Sequence, residues 1–115
     1  MNNNDYDRIT EVCDDSLNEF INTHDRCVLL CLKEKCPYCI QFLPIVSSIA
    51  QEMPEVTFAR INIDENKKTA KNLNVRTVPT IIVFYQHSVK KGIIGMKSKF
   101  TIQNDIRLAF ATAHF

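Results

Sequence analysis

The chain has 115 residues, is 45% apolar and carries a formal net charge of +1. That is the length of one domain, residues 1–115, with enough apolar material for a real core. Lys and Arg are scattered among Asp and Glu, and the local pairs Lys67-Lys68 and Lys90-Lys91 read as solvated faces, which argues against a nucleic-acid footprint or a polybasic membrane anchor. No apolar run approaches the length of a membrane span. The stretch Met1 to Arg8 lacks the apolar region of a signal peptide, so the expected location is cytoplasmic.

Residues 1–7, rich in Asn and Asp, are expected to fray. Ile9 to Cys13 reads as a short strand. Asp14, Asp15 and Ser16 offer helix-capping oxygens, and Leu17, Phe20 and Ile21 follow at helical spacing to about His24. Cys27 to Leu32 is a continuous apolar run, the pattern of a strand buried on both faces of a parallel sheet. Polar Lys33-Glu34-Lys35 leads into Cys36-Pro37-Tyr38-Cys39. Ile40, Leu43, Ile45, Val46, Ile49 and Ala50 then mark a helix to about Met53, with Pro44 inside it as a source of a kink.

Val56 to Ile63 alternates as a strand does. Asp64-Glu65 serves as turn and cap for a short helix from Lys67 to Leu73. Val75 to Pro79 connects to a β-rich strand, Thr80–Tyr85. After a turn at Gln86 to Ser88, a second strand from Val89 to Met96 contains Gly92 and Gly95. A closing helix spans Thr101 to Phe115, with Ile102, Ile106, Phe110 and Ala113 inward. The order β-α-β-α-β-α-β-β-α predicts a three-layer α/β/α domain with a central mixed sheet: parallel where helices intervene, antiparallel at the last two strands.

Five cysteines, at 13, 27, 31, 36 and 39, are an odd set concentrated in the first third. Most lie in apolar runs, unlike a structural disulfide framework. Two cysteines separated by two residues at a strand-to-helix junction have a mechanical rationale. The first, Cys36, sits at a helix N-terminus, where free amides and the helix dipole stabilise a thiolate. One helical turn brings Cys39 within disulfide reach. Cys36 can then attack a disulfide and Cys39 can resolve the mixed disulfide. Pro37 suits the first helical turn, and Lys33 or Lys35, if close, would favour the thiolate further.

Cys27, Cys31, Cys36 and Cys39 also form C-x3-C-x4-C-x2-C, whose last three members have an iron–sulfur spacing. No Gly-rich binding loop accompanies it, so no metal is expected. Cys27 and Cys31 read as small core residues, and Cys13 as inert rather than regulatory. His24, His87 and His114 suit surface turns and element ends. Arg60 reads as a solvated strand residue, and Tyr38 either contacts substrate or covers the disulfide. Pro79 opening an interior strand is unusual, and a cis Val78–Pro79 bond would account for it.

These pieces together resemble the thioredoxin family. The resemblance runs from about Ile9 to Phe115: ITEVCDDSLNEFI, the apolar strand before CPYC, Pro44, ARINIDEN, NVRTVPTIIVF and IIGM. CxxC alone is weak; CxxC followed about forty residues later by TVPT is specific. The resemblance implies a disulfide-forming Cys36–Cys39 pair and a cis Pro79 lying against it. It also implies that Val78 offers its backbone to an extended substrate, and that Ile94, Gly95 and Met96 form an apolar docking patch, with Pro37 and Tyr38 at the motif itself.

Three features depart from the family pattern. Lys35 stands where a Trp precedes the first cysteine, Pro37-Tyr38 replaces Gly-Pro, and Leu30 replaces the buried acid that assists the resolving cysteine. The expected activity is reduction of protein disulfides by a monomer that needs no cofactor and is re-reduced by a thioredoxin-reductase-type flavoprotein. CPYC equally suggests a glutathione-linked glutaredoxin, although the Gly-Gly…Asp segment of those proteins is missing. Leu30 and Lys35 would suit a low-turnover binding or redox-sensing module.

Overall fold

The computed structural model describes residues 8–112. The expectations for residues 1–7, Ala113 and His114 lie outside that range. The elements are β1 (Ile9–Glu11), α1 (Leu17–Thr23), β2 (Arg26–Leu32), α2 (Pro37–Glu52), β3 (Thr57–Asn62), α3 (Lys67–Asn72), β4 (Thr80–Tyr85), β5 (Ser88–Ile94) and α4 (Lys99–Thr112). The order is the one expected from the sequence.

The sheet runs β1-β3-β2-β4-β5. The pairs β1–β3 and β3–β2 are parallel, joined through helical crossovers, while β4 lies antiparallel to β2 and β5 antiparallel to β4. Central β2 is buried from Cys27 to Cys31, and its alternation divides the core. Val28 and Leu30 face one cluster with Phe42, Val46 and Ile49 of α2 and Ile102 and Ile106 of α4. Cys27, Leu29 and Cys31 face the other, against Leu17, Phe20 and Ile21 of α1, with Ala70 of α3 at its margin. Three layers result because β2 must cover two apolar faces.

Local details revise several expectations. β1 ends at Glu11, although Val12 still donates to the Arg60 carbonyl at 2.9 Å. In α2 the inward stripe is Cys39, Phe42, Val46, Ile49 and Ala50, while Ile40 is exposed. At 100° per residue, Ile40 falls off the face that Cys39 and Phe42 define. β5 stops at Ile94, and Gly95 lies beyond it with φ +86°, a left-handed conformation that side chains disfavour.

Capping also differs. Ser16, the N-cap of α1, makes no cap bond, and its hydroxyl instead accepts the Cys13 amide at 2.9 Å. The Asp14 carboxylate reaches across to α3, accepting the Thr69 amide at 2.9 Å and the Thr69 hydroxyl at 2.8 Å. In return the Asp14 amide donates to Asn66 Oδ1 at 2.8 Å. Asn66, not Asp64 or Glu65, is the N-cap residue of α3. A six-residue helix has little stability of its own, so this clasp supplies its start.

Candidate functional site

β2 delivers the chain to one end of the sheet. Lys33 to Lys35 turn it into α2, with Lys35 at φ 58°. Cys36 is the N-cap of α2 in an extended conformation and Pro37 is its first residue. The Cys36 sulfur accepts the Cys39 amide at 3.2 Å, satisfying one of the free donors of the helix start. Cys36 and Cys39 are joined as a disulfide with Cα atoms 5.2 Å apart. Cys36 is half-buried, whereas Cys39 is 3% exposed.

The strand register assembles the rest of the site. Cys31 pairs with Thr80, and Thr80 pairs with Ile94. The C-terminal end of β2, the N-terminal end of β4 and the C-terminal end of β5 therefore lie side by side. The Val78–Pro79 bond is cis, as expected. Pro79 is buried, and its carbonyl accepts the Gly95 amide at 2.9 Å. The Thr80 hydroxyl donates to the Thr77 carbonyl at 2.8 Å. Val78 has neither backbone group bonded among the described residues.

Apolar surface surrounds this end. Tyr38, Ile94 and Met96 are all exposed, with Ile94 at 68%. Tyr38 projects to solvent at 65% exposure. A recess between the 74–77 loop and β5 is lined by Asn74, Val75, Arg76, Thr77, Thr80 and Ile94. Arg76 and Lys97 are exposed on the segments flanking Pro79. No motif singled them out; the signal for them is the absence of acids around both, from Lys67 to Asn104.

The charged neighbours of the motif separate. The Lys33 ammonium lies 3.9 Å from the Asp64 carboxylate, so its charge is shared with an acid that sequence reasoning assigned only to a turn. Lys35 is exposed. Arg60 is half-buried and donates to the Ile9 carbonyl at 2.8 Å, which ties β3 to β1. It is a fixed structural residue, not a freely solvated one. Leu30, its register partner, is fully buried in the apolar cluster under α2.

The remaining thiols divide into two kinds. Burial pushes the Cys31 thiol up to about 12. Burial, with Asp25 nearby, pushes Cys27 up to about 11, and Cys27 Sγ donates to the His24 carbonyl at 3.1 Å. Both lie on the sheet face opposite α2, so strand alternation separates them from Cys36 and Cys39 despite the close spacing in sequence. Among the described residues, no group of three or more His, Cys, Asp or Glu is arranged to hold a metal. Cys13 is exposed, and hydrogen bonds from the Ser16 hydroxyl and from neighbouring amides hold its thiol below the usual value. Its surroundings do not give it the inertness of the two buried thiols.

The thioredoxin family model matches residues 8–108. A thioredoxin of Chlamydia pneumoniae is 38% identical over 71 residues, 62% of this chain and 70% of that protein. A thioredoxin of Rickettsia typhi is 37% identical over 67 residues, 57% of this chain and 64% of that one. Among solved structures, thioredoxin f from spinach chloroplast superposes with a TM-score of 0.83 at 28% identity, covering 89% of this chain and 93% of that chain. Mitochondrial thioredoxin 3 from Saccharomyces cerevisiae has the same fold, with a TM-score of 0.83 at 23% identity over 90% of this chain and 97% of that one. With a disulfide-forming CxxC at the start of α2 and a matching family model across nearly all of its length, the chain belongs to the thioredoxin family and is a thiol–disulfide oxidoreductase.

Proposed function

We propose that Cys36 is the attacking sulfur, that Cys39 is the resolving one, and that the chain works in the direction of reducing protein disulfides. The observation that carries this reading is the asymmetry of the pair: Cys36 is the more exposed sulfur and caps a helix, while Cys39 is buried. An amide donor and the positive end of a helix stabilise a thiolate. In the reduced protein the Cys36 thiolate attacks one substrate sulfur and breaks the substrate S–S bond. The departing sulfur leaves as a thiolate and takes a proton. The Cys39 thiolate then attacks Cys36 Sγ, releases the second substrate thiol and forms the Cys36–Cys39 bond seen here. Two electrons pass from the dithiol to the substrate, and a flavoprotein reductase of the thioredoxin-reductase type restores them.

Substrate docks beside this pair. The unbonded backbone of Val78 is available to an extended peptide segment, with Pro79 seated beneath it. Ile94, Gly95 and Met96 flank that segment, and Pro37 and Tyr38 cover its approach. Lys33 and Lys35 tune the thiolate, Lys35 more than Lys33 because Asp64 shares the Lys33 charge. We further read residues 1–115 as one cytoplasmic, monomeric domain acting without a bound cofactor or metal; both apolar clusters close on a single sheet, and no helix among the described residues is long and apolar enough to cross a membrane.

The test is turnover of a protein disulfide coupled to a thiol reductant. Cys36→Ser removes all turnover. Cys39→Ser retains attack and accumulates a mixed disulfide between Cys36 and substrate, visible by non-reducing electrophoresis and mass. A mixed disulfide on Cys39 in the Cys36→Ser protein, with turnover retained, reverses the assignment.

A further inference from the structure

The near-neutral total charge conceals a division along the chain. Twelve of the thirteen Asp and Glu precede residue 66, and nine of the fourteen Lys and Arg follow it. Between Glu65 and Asp105 there is no acid at all, while eight Lys or Arg fall in that interval. The charges are therefore not interspersed along the chain.

The fold makes part of this linear division spatial: Lys67, Lys68 and Lys71 go to α3, which is clasped to Asp14, while the later bases go elsewhere. β4 and β5 stack outside β2 in the order β1-β3-β2-β4-β5, and Arg76 before β4, Lys90 and Lys91 in β5 and Lys97 after it bring four of the eight bases to that edge with no acid among them. Cys36 follows the end of β2, and Pro79 enters β4 beside it, so the disulfide lies next to the start of the acid-poor edge. Just before the motif, Lys33 pairs with Asp64 and exposed Glu34 is followed by exposed Lys35, so those charges balance. On the β4–β5 side, Arg76 rims the recess next to Pro79, and Lys97 follows Met96 two residues beyond Gly95, whose amide is bonded to the Pro79 carbonyl. Both cations are exposed, and the 74–80 and 94–101 segments that carry them contain no acid.

We infer that the substrate of this site is a protein segment whose disulfide is flanked by acidic residues, with Arg76 and Lys97 reading the acids as the segment lies across Val78 and Gly95. This rests on the dithiol reading above and adds the charge of the substrate to it. Complementary charge acts mainly on encounter and on rejection of wrong partners. Here the two exposed cations, with no acid on the segments that carry them, favour an acidic segment on the β4–β5 side, which is the side where the Val78 backbone is open.

The experiment uses the reduced full chain in single turnover against three peptides with the same internal disulfide, flanked by Glu, by Ser or by Lys. The expected kcat/KM for the Glu peptide exceeds that for the Lys peptide by about 10-fold at low ionic strength, and the preference collapses near 1 M salt, where screening acts within about 3 Å. The double variant Arg76→Glu with Lys97→Glu inverts the order and gains rate on the Lys peptide, a result that misfolding cannot produce. Lys90→Glu with Lys91→Glu, in the body of β5 away from the motif, keeps the wild-type order. If the Ser peptide is not reduced at all, the dithiol reading itself fails. If it is reduced but the Glu and Lys peptides react alike, or if the Lys90 and Lys91 changes invert the order equally well, the proposal fails while the dithiol reading stands. A DNA duplex that blocks reduction of the Ser peptide would mark the basic side as a nucleic-acid surface and overturn it as well.

Discussion

The sulfur of Cys36 accepts the backbone amide of Cys39 at 3.2 Å, so the residue that caps α2 is also the one placed to attack a disulfide. The capping bond and the reactivity have one physical origin, since the amides left free at a helix start stabilise negative charge in the position that a capping side chain occupies. In the reduced protein Cys36 should be alkylated by iodoacetamide with a half-maximal pH below that of an ordinary exposed thiol. Replacing Pro37 by Gly loosens the first helical turn and should move that midpoint upward. An unchanged midpoint would show that the amide bond, not the turn's rigidity, sets it.

Thiol counting separates the five cysteines. In the oxidised native protein a thiol reagent near neutral pH should find one reactive group, Cys13, because Cys36 and Cys39 are paired and Cys27 and Cys31 are buried. Denaturation should raise the count to three. Peptide mapping of the native adduct checks the assignment, and label on Cys31 under native conditions would contradict its burial.

The same burial makes a pH prediction. The Cys31 thiol is raised from 9.0 to about 12 in the folded state, so the unfolded chain ionises first. Its contribution is fully present below pH 9 and is lost as pH rises from there toward 12. At pH 10, one unit above the unfolded value, the loss is about 1.4 kcal/mol. Urea unfolding of Cys31→Ala should therefore show a shallower decline between pH 8 and pH 10 than the parent chain, whatever its absolute stability.

Leu30 occupies a fully apolar place under α2. Leu30→Ala should cost about 2–5 kcal/mol in urea unfolding, the usual range for a core Leu truncation. Leu30→Asp restores the family's acid but buries a carboxyl among Phe42, Val46 and Ile81. Its folded pKa must rise, so this variant loses stability as pH climbs above the unfolded carboxyl value of about 4, a trend absent from the parent. If the cluster admits water around the new carboxylate, that slope disappears.

Asp14 ties the β1–α1 connection to α3 through Thr69 and Asn66. Burial opposes its charge, but the hydrogen bonds from Thr69 and the adjacent Lys68 outweigh it and hold the carboxyl below its usual value. The stabilisation is thus present above the unfolded carboxylate pKa and lost as pH falls through the lower folded one. Asp14→Ala should lower Tm near neutral pH and speed amide exchange in α3 first. Near pH 3 the difference from the parent should narrow.

Wherever the signal was local, it was legible along the chain. CPYC after an apolar strand places a sulfur at a helix start whatever surrounds it, and an X–Pro step at the head of an interior strand narrows the backbone to few choices. The run CVLLCL declared a strand covered on both faces. Alternation then put Leu30 on one face, with Cys27 and Cys31 on the other, although the linear spacing of the four cysteines resembled a cluster motif. What the chain order could not specify is which distant groups meet. Asp14 serves Thr69 across 55 residues and not its own helix; Asp64 meets Lys33; Phe42 turns inward while Ile40 turns out. The charge division is written plainly in the sequence, twelve acids before residue 66 and eight bases with no acid between Glu65 and Asp105. Its consequence depends on the fold: α3 carries three of those bases to Asp14, whereas β4 and β5 add beside β2 and, because hydrogen-bonded strands lie side by side, bring Arg76 and Lys97 to the end of the sheet that holds the disulfide.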